Sequence, residues 1–154
     1  MNNNVNGRPK CLAIDRFPVP PSVNTLYAHV NGRMIKTRAY RKYEQDVFRW
    51  LNVEVEQIKQ IRSFFKDIGS YVVHVDTMFH MQKGRIICKN GKPKRNDTSN
   101  RLKALHDVLS SIIIGIDDSY FWSGTFSKCP VQSGDGHVDI VFWLREIESY
   151  GKLN

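Results

Sequence analysis

The sequence predicts one α+β domain, a small mixed β-sheet with two main helices covering one face. Three observations support this prediction. Apolar stretches of strand length alternate with two helical patterns, Asn-Gly pairs mark two tight turns, and no repeat or shift in composition divides the chain. The 154 residues suffice for a buried core. We expect a disordered tail over residues 1–10 and a single domain over residues 11–154.

The first half of the chain predicts a strand, a hairpin and a long helix. The stretch CLAIDRF, from Cys11, predicts a strand that the prolines of PVPPS end. Asn31-Gly32, within YAHVNGRMIKT, predicts a hairpin. From Ala39 to about Ile68, apolar residues recur at spacings of three and four, which predicts a helix that Gly69 ends.

The second half predicts three strands and a second helix. The alternation in YVVHVDTMFHM predicts a half-buried strand. A basic hairpin or loop with a turn at Asn90-Gly91 follows, then a helix from about Ser99 to Ile114 with Gly115 as its left-handed C-cap. The last two β-rich runs, SYFWSGTFSK and GHVDIVFWLRE, predict an antiparallel hairpin.

Charge and cysteine content bound the classes of partner. The net charge of +8 favours a polyanion, with nucleic acid the first candidate. The three cysteines are far apart and the five histidines lack zinc-type spacing, so neither a disulfide framework nor a zinc site is predicted. No apolar run is long enough to span a bilayer and the N-terminus has no export signal, so we expect a cytoplasmic protein that does not bind membranes.

The second predicted helix carries a polar row on one face. Asn100, Lys103 and Asp107 fall within about 60° of one another around the helix, opposite its leucines. Asp97 lies just before this helix, and Asp117-Asp118 lies just after it. Either these acids are caps and turn residues, or they hold a metal ion against a negatively charged partner.

Four segments together resemble the RusA family of Holliday-junction resolvases. They are PPSVNTLY from Pro20, TRAYR from Thr37, DTSNRLKALHD from Asp97 and DDS from Asp117, within a match from about Phe17 to Phe142. The resemblance implies a small α+β homodimer of bacterial or phage origin. It also implies that the protein cuts four-way DNA junctions by paired phosphodiester hydrolysis with Mg²⁺, for which Mn²⁺ can substitute.

The resemblance also implies roles for individual residues. Asp97 and Asp118 would be catalytic, metal-binding carboxylates, and Lys103 would be the catalytic lysine. The supporting residues would be Asn100, Ser99, Asp107, Asp117 and Asn24. Ser99 stands where the family usually has a second Asp, and a hydroxyl is a poorer Mg²⁺ ligand than a carboxylate. Asp107 and Asp117 are the candidates to compensate.

Cations surround Asp97 with few counter-charges, which favours phosphate binding over a merely solvated loop. The DNA-binding candidates are Arg85, Lys89, Lys92, Lys94, Arg95 and Arg101.

The helix length raises a geometric question. A straight helix from Ser99 to Ile114 is about 24 Å long, too long for Asp97 and Asp118 to share an ion across it. Either the helix ends near Ser110 and Asp118 folds back, or the site forms between two subunits.

The predicted function is therefore a Mg²⁺-dependent endonuclease selective for branched DNA. One alternative is a junction-binding protein whose turnover is weakened or lost through Ser99. A second alternative is a basic structural or RNA-associated domain without a metal ion.

Overall fold

A four-stranded mixed β-sheet forms the centre of the computed structural model, which describes residues 4–5, 8–9, 11–94, 99–134 and 136–149. The fold is α+β, as the sequence predicts. The strands are β1 (Asn4–Val5), β2 (Arg8–Pro9), β3 (Cys11–Pro18), β4 (Tyr27–Val30), β5 (Arg33–Lys36), β6 (Tyr71–Gln82), β7 (Phe121–Val131) and β8 (His137–Glu146). The helices are α1 (Arg38–Val53), α2 (Val55–Phe65), α3 (Lys83–Ile86) and α4 (Ser99–Val108).

The strand order in the main sheet is β3-β8-β6-β7, with β7 parallel to β6 and the other neighbours antiparallel. The prediction of a hairpin between β7 and β8 is therefore wrong, because β6 lies between them. Alternating apolar residues identify a strand but not its partner. The deeply buried β8 takes a central position, whereas β7, whose side chains are mostly exposed, forms the edge. The predicted hairpin around Asn31-Gly32 is confirmed as β4 and β5.

The core lies between one face of the sheet and the helices α1, α2 and α4. Phe142 of β8 is fully buried there and packs edge-on against Phe65 of α2, with ring centroids 5.1 Å apart. Phe17 of β3 packs against Trp50 of α1 in the same way. None of the described helices has the length and apolar character needed to cross a membrane.

The long helix predicted from Ala39 to Ile68 is wrong as a single element, because it breaks at Glu54, where φ is −94° and ψ is 43°. The flanking residues, Val53 and Val55, are β-branched and exposed, so neither favours continuing the helix there nor contributes to the core. The break lets α2 turn a new apolar face, which includes Ile61, onto the sheet.

The second predicted helix is confirmed with a change in its last part. Regular α-helical bonding ends at Val108, and residues Leu109–Ile114 form a wider π-helical turn. The Gly115 N–H donates to the Ser110 carbonyl, 2.8 Å away, and Gly115 is left-handed at φ 76°, as predicted. π-helical turns of this kind occur frequently at functional sites.

The other face of the main sheet, here called the open face, carries a polar network centred on Asp76. Its carboxylate accepts hydrogen bonds from Thr125 Oγ1 at 2.6 Å, Trp143 Nε1 at 2.8 Å and His74 Nε2 at 2.9 Å. Burial alone would raise the pKa of Asp76, but these hydrogen bonds outweigh that effect, and the pKa lies below its usual value. The ionised carboxylate therefore ties β6, β7 and β8 together.

We expect Asp76→Ala to lower the free energy of unfolding at neutral pH by about 1–2 kcal/mol, because three donors lose a charged acceptor that is itself partly exposed. A folded-state pKa below the unfolded value of about 3.9 means that this stabilisation is present above pH 4 and is lost as pH falls through the folded pKa. Urea unfolding at several pH values checks this. Asp46→Ala, which removes only exposed ion pairs to Lys42 and Arg49, is the control. If Asp76→Ala lowered the free energy of unfolding equally at every pH, the expected dependence of stability on protonation of Asp76 would be contradicted.

Candidate active site

The polar row on α4 faces outward, as its spacing predicts. Lys103 and Asp107 are exposed, and Asn100 is half-buried one turn before Lys103. On the other side of the helix, Leu105 and Val108 pack into the core. The row is therefore presented on a rigid element whose opposite face is anchored.

The N-terminal segment that contains Asn24 lies against α4. The Arg101 guanidinium donates from Nη1 to the carbonyl oxygen of Pro20 at 2.5 Å. Exposed Asn24 lies in the following turn, Val23–Thr25, which contacts α4. The sequence-predicted supporting residue Asn24 is thus close to the helix that carries Lys103.

Hydrogen bonds connect the segment TRAYR, which begins at Thr37, to the turn that contacts α4. The Thr37 hydroxyl caps α1 by accepting from the Tyr40 N–H, and it donates to the Thr25 carbonyl. The Thr37 N–H also donates to the Leu26 carbonyl at 2.9 Å. These bonds hold the start of α1 on the turn that contacts α4.

Two tyrosines from these segments pack together near Asp107. The rings of Tyr27 and Tyr40 meet edge-on with centroids 5.5 Å apart. The pKa of Tyr40 is raised to about 12 by burial, then by its hydrogen bond with Tyr27 and by the negative charges of Glu44 and Asp107. Asp107 therefore lies within electrostatic reach of both N-terminal segments.

The acids that follow α4 lie on a short 3-10 turn. Asp117 caps this turn by accepting from the Ser119 N–H at 2.9 Å. Hydrogen bonds from the Ser119 hydroxyl and then from the Ser119 N–H lower the pKa of Asp117. Asp118, the next residue, is exposed. Asp117 and Asp118 thus differ in their surroundings, because the Asp117 carboxylate is engaged as the cap of the turn.

His106, in the last turn of α4, lies near the segment that contains Asp118. Burial lowers the pKa of His106, while the charges of Asp107 and Asp118 oppose that shift. The His106 ring also packs edge-on against Phe121, with centroids 5.2 Å apart. Asp118 therefore lies near the last turn of α4. The helix does not end near Ser110, because it continues as the π-helical turn to Ile114, so that part of the first arrangement is wrong. Asp97 and Arg95 lie outside the described residues, so the pairing of Asp97 with Asp118 stays a prediction.

Sequence reasoning missed three residues of this site, Tyr27, Tyr40 and His106. Both tyrosines lie in segments that carried the family resemblance, and His106 immediately precedes Asp107. Their place in the motifs was the available signal. The contact between the two tyrosines and the packing of His106 against Phe121 become visible only in the fold.

The basic stretch before α4 is ordered where it is described. Ile87 forms a β-bridge with Pro93 around the Asn90-Gly91 turn, and the Lys94 N–H donates to the Ile86 carbonyl at 2.8 Å. This segment presents exposed cations, which are Arg85 on α3 and Lys89, Lys92 and Lys94 around the turn. Arg101 is more buried, and burial, with the nearby Arg85 charge, lowers its pKa. Its bond to Pro20 gives it a structural role whatever else it contacts.

A second basic surface, on α1, was also missed. Four cations at helical spacing line a shallow groove there, namely Arg38, Arg41, Lys42 and Arg49. Lys42 and Arg49 also line an adjoining cavity of about 420 Å³ that reaches Arg85 on α3. The apolar stripe of α1 dominated its sequence pattern and hid these cations on the opposite face. Asp46 lines the same cavity and pairs with Lys42 and Arg49, but the cations outnumber it. The surface is therefore positive overall, which fits a polyanion.

The described residues fit a hydrated hard cation at this site. Asp118 and Asp107 present exposed carboxylates around His106, and Mg²⁺ is typically held by one or two carboxylates while it keeps several waters. The open coordination positions of such an ion are filled by water or substrate phosphate.

Comparison with known proteins agrees with the sequence motifs. No curated protein matches this chain. The family model described as endodeoxyribonuclease RusA matches residues 17–143, which is nearly the span from Phe17 to Phe142 over which the motifs indicated the resemblance. The motif segments that this match contains are the ones that the fold brings together around α4. The chain therefore belongs to the RusA family of endodeoxyribonucleases, enzymes that depend on a divalent metal ion.

Proposed function

We propose that this protein is a Mg²⁺-dependent, structure-selective endonuclease that resolves four-way DNA junctions in recombination and repair. The observation that carries the proposal is the convergence on α4 of motif segments from both halves of the chain, with Asp118 near His106. Such a substrate places the activity in the cytoplasm of a bacterium or of a phage-infected cell.

Asp97 and Asp118 would hold the metal ion. When bound, Mg²⁺ neutralises phosphate charge and makes a coordinated water more nucleophilic. Asp107 is better placed than Asp117 to compensate for the missing acid at Ser99, because the Asp117 side chain is engaged with the Ser119 N–H. Mn²⁺ would satisfy the same oxygen ligands.

Lys103 would stabilise the developing negative charge. Its ammonium lies on the outward row of α4, one turn after Asn100 and one turn before Asp107. A fixed cation aimed at transition-state charge is typically worth on the order of 10²–10³ in rate. Asn100 would assist by positioning the scissile phosphate or Lys103.

The two basic surfaces would bind the arms of the junction. The turn with Lys89, Lys92 and Lys94 and the groove on α1 both expose cations without base-reading geometry, which suits recognition of backbone shape. Their contribution to DNA-binding affinity would fall steeply as the salt concentration rises. A homodimer would supply two sites related by a two-fold axis for the two strands that must be cut.

The test is cleavage of an end-labelled four-way junction and of a linear duplex of the same sequence, with Mg²⁺ and with a chelator. The proposal predicts paired, religatable nicks in the junction with Mg²⁺ only. A gel shift without nicks would favour the alternative, a junction-binding protein with lost turnover. Equal binding to both DNAs without nicks would favour the other alternative, a basic domain without a metal ion.

Ser99→Asp tests why the family's second acid is missing. Ser99 is the exposed first residue of α4, where an added carboxylate also suits the helix dipole. We expect the Mg²⁺ concentration for half-maximal cleavage to fall on the order of tenfold, because a further charged oxygen strengthens binding of a hard cation. The matched control is Ser63→Asp, which adds the same charge at an exposed position on a different helix, α2. An unchanged Mg²⁺ requirement in Ser99→Asp would show that Ser99 does not face the ion.

A further inference from the structure

The open face of the sheet carries a cluster of two histidines and an aspartate that the nuclease site does not use. His80 of β6 and His137 of β8 are direct cross-strand partners, and Asp139 lies two residues along β8 on the same face. The imidazole rings stack with centroids 4.2 Å apart and planes 11° apart. Both rings therefore direct their Nε2 atoms toward the same carboxylate.

The three side chains offer ligand atoms at close range. His80 Nε2 lies 2.8 Å from Asp139 Oδ2, and His137 Nε2 lies 3.8 Å from Asp139 Oδ1. All three ligand atoms fall within 4.8 Å of one another. The two histidine side chains are only 16% and 18% exposed, whereas Asp139 is 34% exposed, so the cluster is sheltered but open on one side.

The surrounding backbone fixes this arrangement. The Arg16 N–H donates to Asp139 Oδ1 at 2.9 Å from an irregularity in β3 where Arg16 has a left-handed φ of 54°. Gly136, just before His137, lies so close to β6 that a Cβ there would be 2.6 Å from the His80 carbonyl oxygen. The ligand strands are thus held in register, and the carboxylate is oriented by an outer hydrogen bond, as carboxylate metal ligands commonly are.

We propose that His80, His137 and Asp139 bind a Zn²⁺ ion, with the fourth position open to water. Two imidazoles and one carboxylate are the ligands of a borderline ion such as Zn²⁺, whereas Mg²⁺ prefers oxygen ligands alone. Tetrahedral zinc ligands at about 2 Å from the metal are about 3.3 Å apart, so modest side-chain rotations bring these atoms to bonding distance.

This site is separate from the nuclease site and does not rest on the proposed function. Val73 of β6 pairs with Phe121, close to Asp118, and His80 lies seven residues farther along, or about 23 Å. His80 also faces the open side of the sheet, whereas Phe121 packs against α4. A bound ion would cross-link β6 to β8 and stabilise the folded chain.

The experiment is a titration of the metal-free, tag-free full chain with Co²⁺, a zinc substitute with visible absorption, followed by competition with Zn²⁺ and with Mg²⁺. We expect binding of one Co²⁺ per chain, displacement by Zn²⁺ but not by Mg²⁺, and a rise in melting temperature with Zn²⁺. His80→Asn and His137→Asn should each weaken Co²⁺ binding by at least about tenfold. His29→Asn, in the exposed hairpin, is the matched control and should bind as the wild type does.

Three results would overturn the proposal. They are the absence of Co²⁺ binding by the wild type, full affinity in both histidine variants, and loss of binding in Cys129→Ser alone. Cys129 is the relevant thiol because it is the β7 partner of His80 on the same face. If a variant fails to fold, imidazole nitrogen NMR of the wild type decides the question, because Zn²⁺ should shift the resonances of His80 and His137 but not those of His29.

Discussion

Asp118→Asn is expected to lower the rate of junction cleavage by about 10²–10³-fold or more while the protein still binds the junction. Asn keeps the size of the side chain but removes the negative charge that a hard cation requires. Because Asp118 is exposed and lies on a 3-10 turn beside α4, the change should leave the fold intact. Single-turnover cleavage and a gel shift in Ca²⁺ measure the two effects separately.

Asp117→Asn is the matched control for this variant. It removes the adjacent charge, but the Asn side-chain oxygen can still accept the hydrogen bond from the Ser119 N–H that caps the turn. We expect its cleavage rate to stay within about tenfold of the wild type, since a nearby charge outside the coordination shell acts weakly in water. If Asp118→Asn cleaved normally and Asp117→Asn did not, the roles assigned to the two acids would be reversed.

Phe142→Ala is expected to lower the free energy of unfolding by about 3–5 kcal/mol, the usual cost of removing a buried aromatic side chain. Phe142 is fully buried in the central strand β8 and contacts the rings of Phe65 and Phe121. Its loss would leave a cavity between the sheet and α2, beneath the strand that follows Asp118. Urea unfolding followed by circular dichroism gives the difference.

Phe48→Ala is the control for the core variant. Phe48 is 54% exposed on α1, and Ala is the better helix former, so the unfolding free energy should change by less than about 1 kcal/mol. Equal losses in both variants would mean that Phe142 does not pack as the fold shows.

The sequence predicts the strands and helices well where one periodicity dominates. It identifies β6 and β8 by their alternation and α4 by its leucines and Gly115. It cannot predict that β6 inserts between β7 and β8, because strand pairing depends on which faces the helices cover. The break at Glu54 also escapes it, since the apolar stripe continues through Val55 although that side chain is exposed.

The candidate site is predictable in part for a related reason. Helical spacing places Lys103 and Asp107 on one face because both lie within one helix. The approach of Asp118 to His106 and the π-helical turn between them are features of the tertiary fold, which no local pattern indicates. The zinc ligands His80 and His137 become neighbours only through the pairing of β6 with β8, and therefore no spacing rule along the chain finds them.

The π-helical turn at Leu109–Ile114 makes the position of Asp118 depend on the number of residues in that turn. A π turn amounts to one residue inserted into an α-helix, so deleting a residue here would restore regular bonding. Every downstream position would then rotate by about 100° around the helix axis, because an α-helix has 3.6 residues per turn. Asp118 would swing away from His106 although neither residue had changed. An insertion or deletion at that turn would therefore displace the Asp118 carboxylate without any substitution of an acid.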